Sequence, residues 1–234
     1  MEDGARAGID RDRLDRIVSQ FQRLGVTPEQ GREILQPALE AARSGLPSRT
    51  VLNRINEGLL KRVPPEAIAA ASRKRLESLR SARRLLLSTW GPATFKQAKP
   101  FIASLGLALE SGLPPQVVTD VLTRGRGKNP AEVKSVIEAG EALQVAGFDP
   151  EVLLALLRDC LDRDLHHADV LKVVRFAVER KRQGQDDRSI REALWGQRGA
   201  APWPSAPPTR PPAREPPAAS PPPPPETGPR AGGP

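Results

Sequence analysis

SGLPSRTVLNRINEGLLKRVPPEAIAAAS, residues 44–72, contains two helix openings in one short stretch, and the rest of the chain repeats its plan. Gly45 suits the left-handed backbone that closes a helix. Leu46 follows as an apolar residue, and Pro47 marks a start, since a helix's first turn wastes no amide donor on proline. Val51, Leu52 and Ile55 then fall on one helical face. After Lys61-Arg62 the same order returns as Val63, Pro64-Pro65 and Ile68. A stop, an apolar residue, a start and an apolar stripe make one unit.

Working outward, LGVTPEQGREIL (24–35) lies upstream, and SGLPPQVVTDVL (111–122), RGKNPAEVKSVI (126–137) and AGFDPEVLLALL (146–157) lie downstream. RDLHHADVLKVV (163–174) and QGQDDRSIREAL (183–194) are weaker copies. Gly25, Gly112 and Gly147 are further closures. Thr27, Asn129 and Asp149 are N-cap residues, each followed by a proline, and Thr27 with Gln30 forms a capping box. The gap between Arg62 and Gly112 holds a long helix, about 65–89, a break at Trp90-Gly91-Pro92, and a second helix to about Ser111 that Pro100 kinks or divides. Two helices per roughly 35–40 residues is the rhythm of stacked helical hairpins.

The expected fold is therefore all-α: an antiparallel helical-hairpin repeat array of about nine to eleven helices, followed by a disordered proline-rich C-terminal tail. Residues 1–8 are expected to be a flexible N-terminus, 9–90 the N-terminal repeats, 91–196 the C-terminal repeats packed on the first half, and 197–234 the tail. Fifteen of the 26 prolines fall in residues 201–234, a segment with too few apolar side chains to offset chain entropy. No segment alternates β-branched and aromatic residues, which excludes an all-β fold. No window is long and apolar enough to span a bilayer, and the N-terminus carries no signal-peptide core, so a cytoplasmic protein is expected.

The run from GLPSRTVLNRINEGLLKRVPPEAI through the following basic helix to SGLPPQVV resembles an uncharacterised group of bacterial all-helical repeat proteins. Their pattern is Gly-Leu-Pro, an apolar helix, Glu-Gly, a basic residue, then Val-Pro-Pro and Ile. Glu57-Gly58 and Lys61 match it, whereas Arg62 stands where the group carries glycine. The resemblance covers roughly residues 40–125 and implies the helical-repeat fold, with no activity attached to it. It also implies an exported or periplasmic location.

The formal net charge of +8 is local: residues 61–100 carry ten basic and two acidic groups, while residues 1–60 balance at nine of each. On the long helix Arg73, Arg80 and Arg84 fall within about 40° of one another, with Arg83 beside them. Such a stripe suits an anionic partner: nucleic acid, an acidic protein or an anionic lipid surface. The reading preferred is a solvated face partly neutralised by acidic neighbours elsewhere in the fold. No aromatic side chain lies among these arginines to stack on a base.

Cys160, His166 and His167 form the one cluster of reactive or metal-ligating residue types. Cys160 continues the apolar series Leu153, Leu156 and Leu157, which buries it. Adjacent histidines on a helix point about 100° apart and share an ion poorly. No catalytic motif is present, and Arg124-Gly125-Arg126-Gly127-Lys128 lacks the strand and the Ser/Thr of a phosphate loop, so a flexible basic loop between two repeats is expected there. No cofactor or metal is expected. In the tail, Trp203 and the Arg210-Pro211-Pro212 run form a candidate docking motif for an aromatic groove. The function expected is that of a non-enzymatic scaffold for a protein partner, with polyanion binding through residues 61–100 as the alternative and an activity around Cys160 as a third.

Overall fold

Closures at the ends of the repeats follow one backbone rule. A residue in the left-handed region ends the helix, and the apolar residue after it donates its N–H back to a carbonyl five residues earlier. Val26 donates to Phe21 (3.0 Å), Leu46 to Ala41 (2.8 Å), Val63 to Gly58 (2.9 Å), Leu113 to Ala108 (2.9 Å), Phe148 to Leu143 (3.2 Å) and Leu165 to Cys160 (3.1 Å). This is the bonding of a Schellman closure, and it explains why an apolar residue follows each stop: its side chain folds against the helix just completed. Most of the left-handed positions are glycine, but Arg62 (φ 54°) and Asp164 (φ 50°) take the same conformation.

The computed structural model describes residues 9–91 and 98–195, and these form ten helices with no strand among the described residues. They are α1 (Arg11–Leu24), α2 (Pro28–Arg43), α3 (Ser48–Leu60), α4 (Pro65–Trp90) and α5 (Lys99–Glu110). The second half contains α6 (Pro115–Arg124), α7 (Pro130–Val145), α8 (Pro150–Asp162), α9 (His167–Arg182) and α10 (Asp187–Trp195). The chain is thus all-α as its repeats require. No described helix is long and apolar enough to cross a membrane. The expected N-terminal segment 1–8 and the tail, with Trp203, Arg210, Pro211 and Pro212, lie outside the described residues.

Starts obey the sequence as well. Thr27 Oγ1 accepts from the Gln30 N–H (3.3 Å) while Gln30 Oε1 accepts from the Thr27 N–H (3.0 Å), a complete capping box. Asn129 and Asp149 cap α7 and α8 through their side-chain oxygens. Pro100 departs from expectation: it does not kink a helix but occupies the first turn of α5, where its missing N–H has no partner to lose.

Most successive helices pack as hairpins, and most alternate helices stack side by side. The even-numbered helices make one row and the odd-numbered helices the other. Lateral hydrogen bonds record the stacking, because their partners are separated by close to one repeat. Ser72 Oγ donates to the Ile34 carbonyl 38 residues away, and Arg158 donates to Asp120 across another 38. The Asp149 N–H reaches Asp187 over 38 residues, and Ser104 reaches Glu138 over 34. Offsets this similar require parallel neighbours within each row.

Helix α4, 26 residues long, contacts α2, α3, α5 and α6. Ile68, Leu76, Leu79 and Leu86 on its inner face are buried. Gly106 of α5 lies so close to it that an added Cβ would stand 2.8 Å from Leu79 Cδ2 and 3.4 Å from Leu79 Cα. At its end Trp90 stacks on Phe101, ring centres 5.1 Å apart, and donates its Nε1–H to the Leu122 carbonyl at 2.7 Å.

Two substitutions test this construction. Arg62→Gly relieves a left-handed arginine, so it is expected to raise the melting temperature by about 2–4 °C in thermal unfolding. Gly106→Val forces α4 and α5 apart and is expected to cost about 1–3 kcal/mol in denaturant unfolding.

Candidate functional site

The arginine stripe of α4 is matched by α2. Arg73 Nη1 lies 2.7 Å from Glu33 Oε1, and Arg80 pairs with both Glu40 and, at 2.5 Å, Glu77. The pairing raises the Arg80 pKa, with the Glu77 hydrogen bond as the main cause. Arg83 donates to the Ser44 carbonyl (2.9 Å) and Arg84 to Ser81 Oγ (2.9 Å). The four arginines lie on one helix beside α2, with Arg73 and Arg80 on the wall of a groove of about 570 Å³ whose other wall carries Glu29, Glu33 and Glu40. The two signs alternate across it, and the two rows of charge meet.

Cys160 is 2% exposed, and burial with the neighbouring Asp159 carboxylate pushes its thiol up to about 12. His166 and His167 both turn towards α7: His166 Nδ1 lies 2.9 Å from Glu132 Oε1 and His167 Nδ1 lies 2.7 Å from Ser135 Oγ. His166 occupies the N-cap position of α9 without a side-chain cap bond. The three residues therefore do not converge. No group of three or more His, Cys, Asp or Glu side chains placed to hold a metal occurs among the described residues.

The basic junction between α6 and α7 is similarly tied down. Arg124 reaches Asp162 at 3.1 Å, Lys128 pairs with Asp164, and Arg126 donates to the Thr89 carbonyl. Instead of projecting as a flexible basic loop, the junction bonds α4 and α8.

Two features are absent from the sequence reading. The first is an ionic cluster in which Glu110, only 9% exposed, pairs with Arg75 and lies 3.7 Å from Arg54. Beside it Ser111 Oγ donates to Glu141 at 2.9 Å, and burial is the chief cause that lifts the Glu141 pKa above the ordinary glutamate value. Residues 56 and 35 positions apart meet here through the α3–α4–α5 fold, so no local spacing signals it. The second is a groove of about 870 Å³ between α7 and α9. Ala142, Val145, Ala146, Val174 and Val178 supply its apolar surface, and Val145 is 73% exposed. The visible trace in sequence is Leu171, Val174 and Val178, which share a helical face beyond the buried one. That excess apolar width was the available signal.

A thiol-reactive chromogen at pH 8 is expected to leave Cys160 unmodified in the folded protein and to label it fully in guanidinium. Rapid labelling of the native state contradicts this burial and reopens nucleophilic chemistry at the site.

No protein-family model matches the chain, and no curated protein or solved structure matches it either.

Proposed function

We propose that the protein is a non-enzymatic scaffold whose stacked helices hold a docking groove for another protein. The supporting observation is the α7/α9 groove, where the exposed Val145 and the half-buried Val174 and Val178 gather on one concave surface. Exposed apolar surface rimmed by charge is the usual signature of a recognition surface. The rigid stack beneath it keeps the groove formed before a partner arrives, so docking costs little ordering entropy.

Polyanion binding through residues 61–100 is the weaker alternative, because Arg73 and Arg80 are already engaged by α2. A polyanion would have to displace Glu33 and Glu40, and gains little by exchanging one carboxylate partner for another anion. Chemistry at Cys160 finds no support in a buried, protonated thiol.

A photo-crosslinking residue at position 145 is expected to capture a discrete protein in cells. The same residue at position 60, where Leu60 is 68% exposed on α3, is expected to capture none. Capture at 145 should also disappear when Val178→Glu places a charge on the groove's apolar surface. Identical products from both positions, or products that survive Val178→Glu, count against a docking groove.

A further inference from the structure

Within the array, arginines on one helix are answered by acids on the helix stacked beside it. Arg73 and Arg80 lie seven residues apart, and they face Glu33 and Glu40, also seven apart. Arg158 faces Asp120 and Arg191 faces Asp159 in the same way. On α9, Arg175 and Arg182 repeat the spacing of Arg73 and Arg80. Two helical turns separate the members of each pair, about 10 Å along the axis.

The pair on α9 is unanswered. Arg175 and Arg182 are exposed on the wall of the α7/α9 groove and have no ion pair among the described residues. Glu138, Glu141 and Glu179 also line the groove but are bonded to other residues. Glu138 accepts from Ser104 and Lys134, and Glu141 from Ser111, none of them on α9. Glu179, between the two arginines, accepts from Gln183. The α7 and α9 helices are bonded only near their starts, through Glu132–His166 and Ser135–His167. Past that point the groove opens, and it is larger than the α2/α4 groove that the glutamates close.

On α9, Leu171, Val174, Val178 and Arg182 fall within about 80° of one another, with Arg175 at the edge of the same face. A ligand for this face therefore needs an apolar stripe and, beside it, negative charge at a two-turn interval. We propose that the α7/α9 groove seats an acidic amphipathic helix of a partner protein. Two of its carboxylates, seven residues apart, engage Arg175 and Arg182, and its apolar face covers Val145, Val174 and Val178. The bound helix supplies to α9 what α2 supplies to α4. This inference rests on the scaffold function and adds the chemical class of the partner.

The probe is a fluorescent, stapled helical peptide with two glutamates seven residues apart and leucines on the adjoining face, titrated against the full chain and read by anisotropy. A second peptide carries lysines in place of the glutamates. The glutamate peptide is expected to bind, the lysine peptide to fail, and Arg175→Glu/Arg182→Glu to weaken binding by about tenfold or more. Circular dichroism of this surface variant, unchanged from the parent, excludes misfolding as the cause. Equal affinity of parent and double variant, or equal binding of both peptides, overturns the proposal. So does displacement of the peptide by a DNA duplex that depends on the same two arginines, which assigns the pair to nucleic acid. If Val178→Glu abolishes binding while the arginine variant does not, the groove remains a docking surface and the acidic class is wrong. Failure of the glutamate peptide to bind, with crosslinking at position 145 intact, likewise removes the acidic helix and leaves the scaffold.

Discussion

Helices of nine to sixteen residues, which is the length of every helix here except α4, are marginal in water on their own. Their stability has to come from neighbours, and in this chain the neighbours stand one repeat away in sequence. Each hairpin presents an apolar face that it cannot bury by itself. Stacking closes those faces over one another, leaving Ile34, Leu52, Leu79, Leu105, Val121 and Leu157 almost wholly buried. Full burial of such a side chain contributes about 1.5–3 kcal/mol. Because contact runs only between adjacent repeats, a break at one point deprives the next repeat of a floor. Helix α4 is the member on which this bears most, since its roughly 39 Å length lets it serve two repeats at once.

Polar cross-links then fix what apolar packing leaves loose. A stripe of leucines tolerates a slip of one turn, whereas a guanidinium facing a carboxylate does not. Arg158 engages Asp120 with two nitrogens, at 2.9 and 2.6 Å, and this hydrogen bonding is the main cause that holds the Asp120 pKa below the ordinary aspartate value. Each exposed pair contributes little to stability, roughly 0–1 kcal/mol. Their value lies in register: the offsets of 38 to 40 residues recur because a shifted neighbour would leave an arginine facing nothing. Glu110 between Arg54 and Arg75 performs the same office where α3 meets α5, and there burial raises the penalty for a wrong partner.

Local chemistry made the helix ends legible. Gly45, Thr27 and Asp149 act through bonds to residues within five positions, so their pattern is written in consecutive letters. Arg62 shows how far that holds: it stands in a glycine's place and still takes the left-handed conformation, because the Val63 bond to Gly58 and the proline start after it over-determine the turn. The burial of Cys160 followed from helical period alone. The pairing of Arg73 with Glu33 did not, since the two stand forty positions apart and any acidic residue on any neighbouring helix was an equal candidate. The α7/α9 groove was hidden for a related reason. Whether the groove's own Glu138 and Glu141 answer the α9 arginines depends on their bonds to Ser104 of α5 and Ser111 at its end, which no local spacing signals.

The two rows of the array differ in how they are bonded, and the difference bears on function. Along the even row each adjacent pair is cross-linked: α2 to α4 by Glu33 and Glu40, α4 to α6 by Trp90 and Arg126, α6 to α8 by Asp120 and Asp162, α8 to α10 by Asp159. The odd row is also joined at each step, by Arg13–Asn53, Arg54–Glu110, Ser104–Glu138 and Glu132–His166, but with fewer bonds, and beyond the first turn of α9 no hydrogen bond or ion pair joins α7 to α9 among the described residues. An array tied along one row keeps its register even where the other row is open. The sparser side can therefore expose Val145 and leave Arg175 and Arg182 without an ion pair while the even row holds the register beneath a groove already formed.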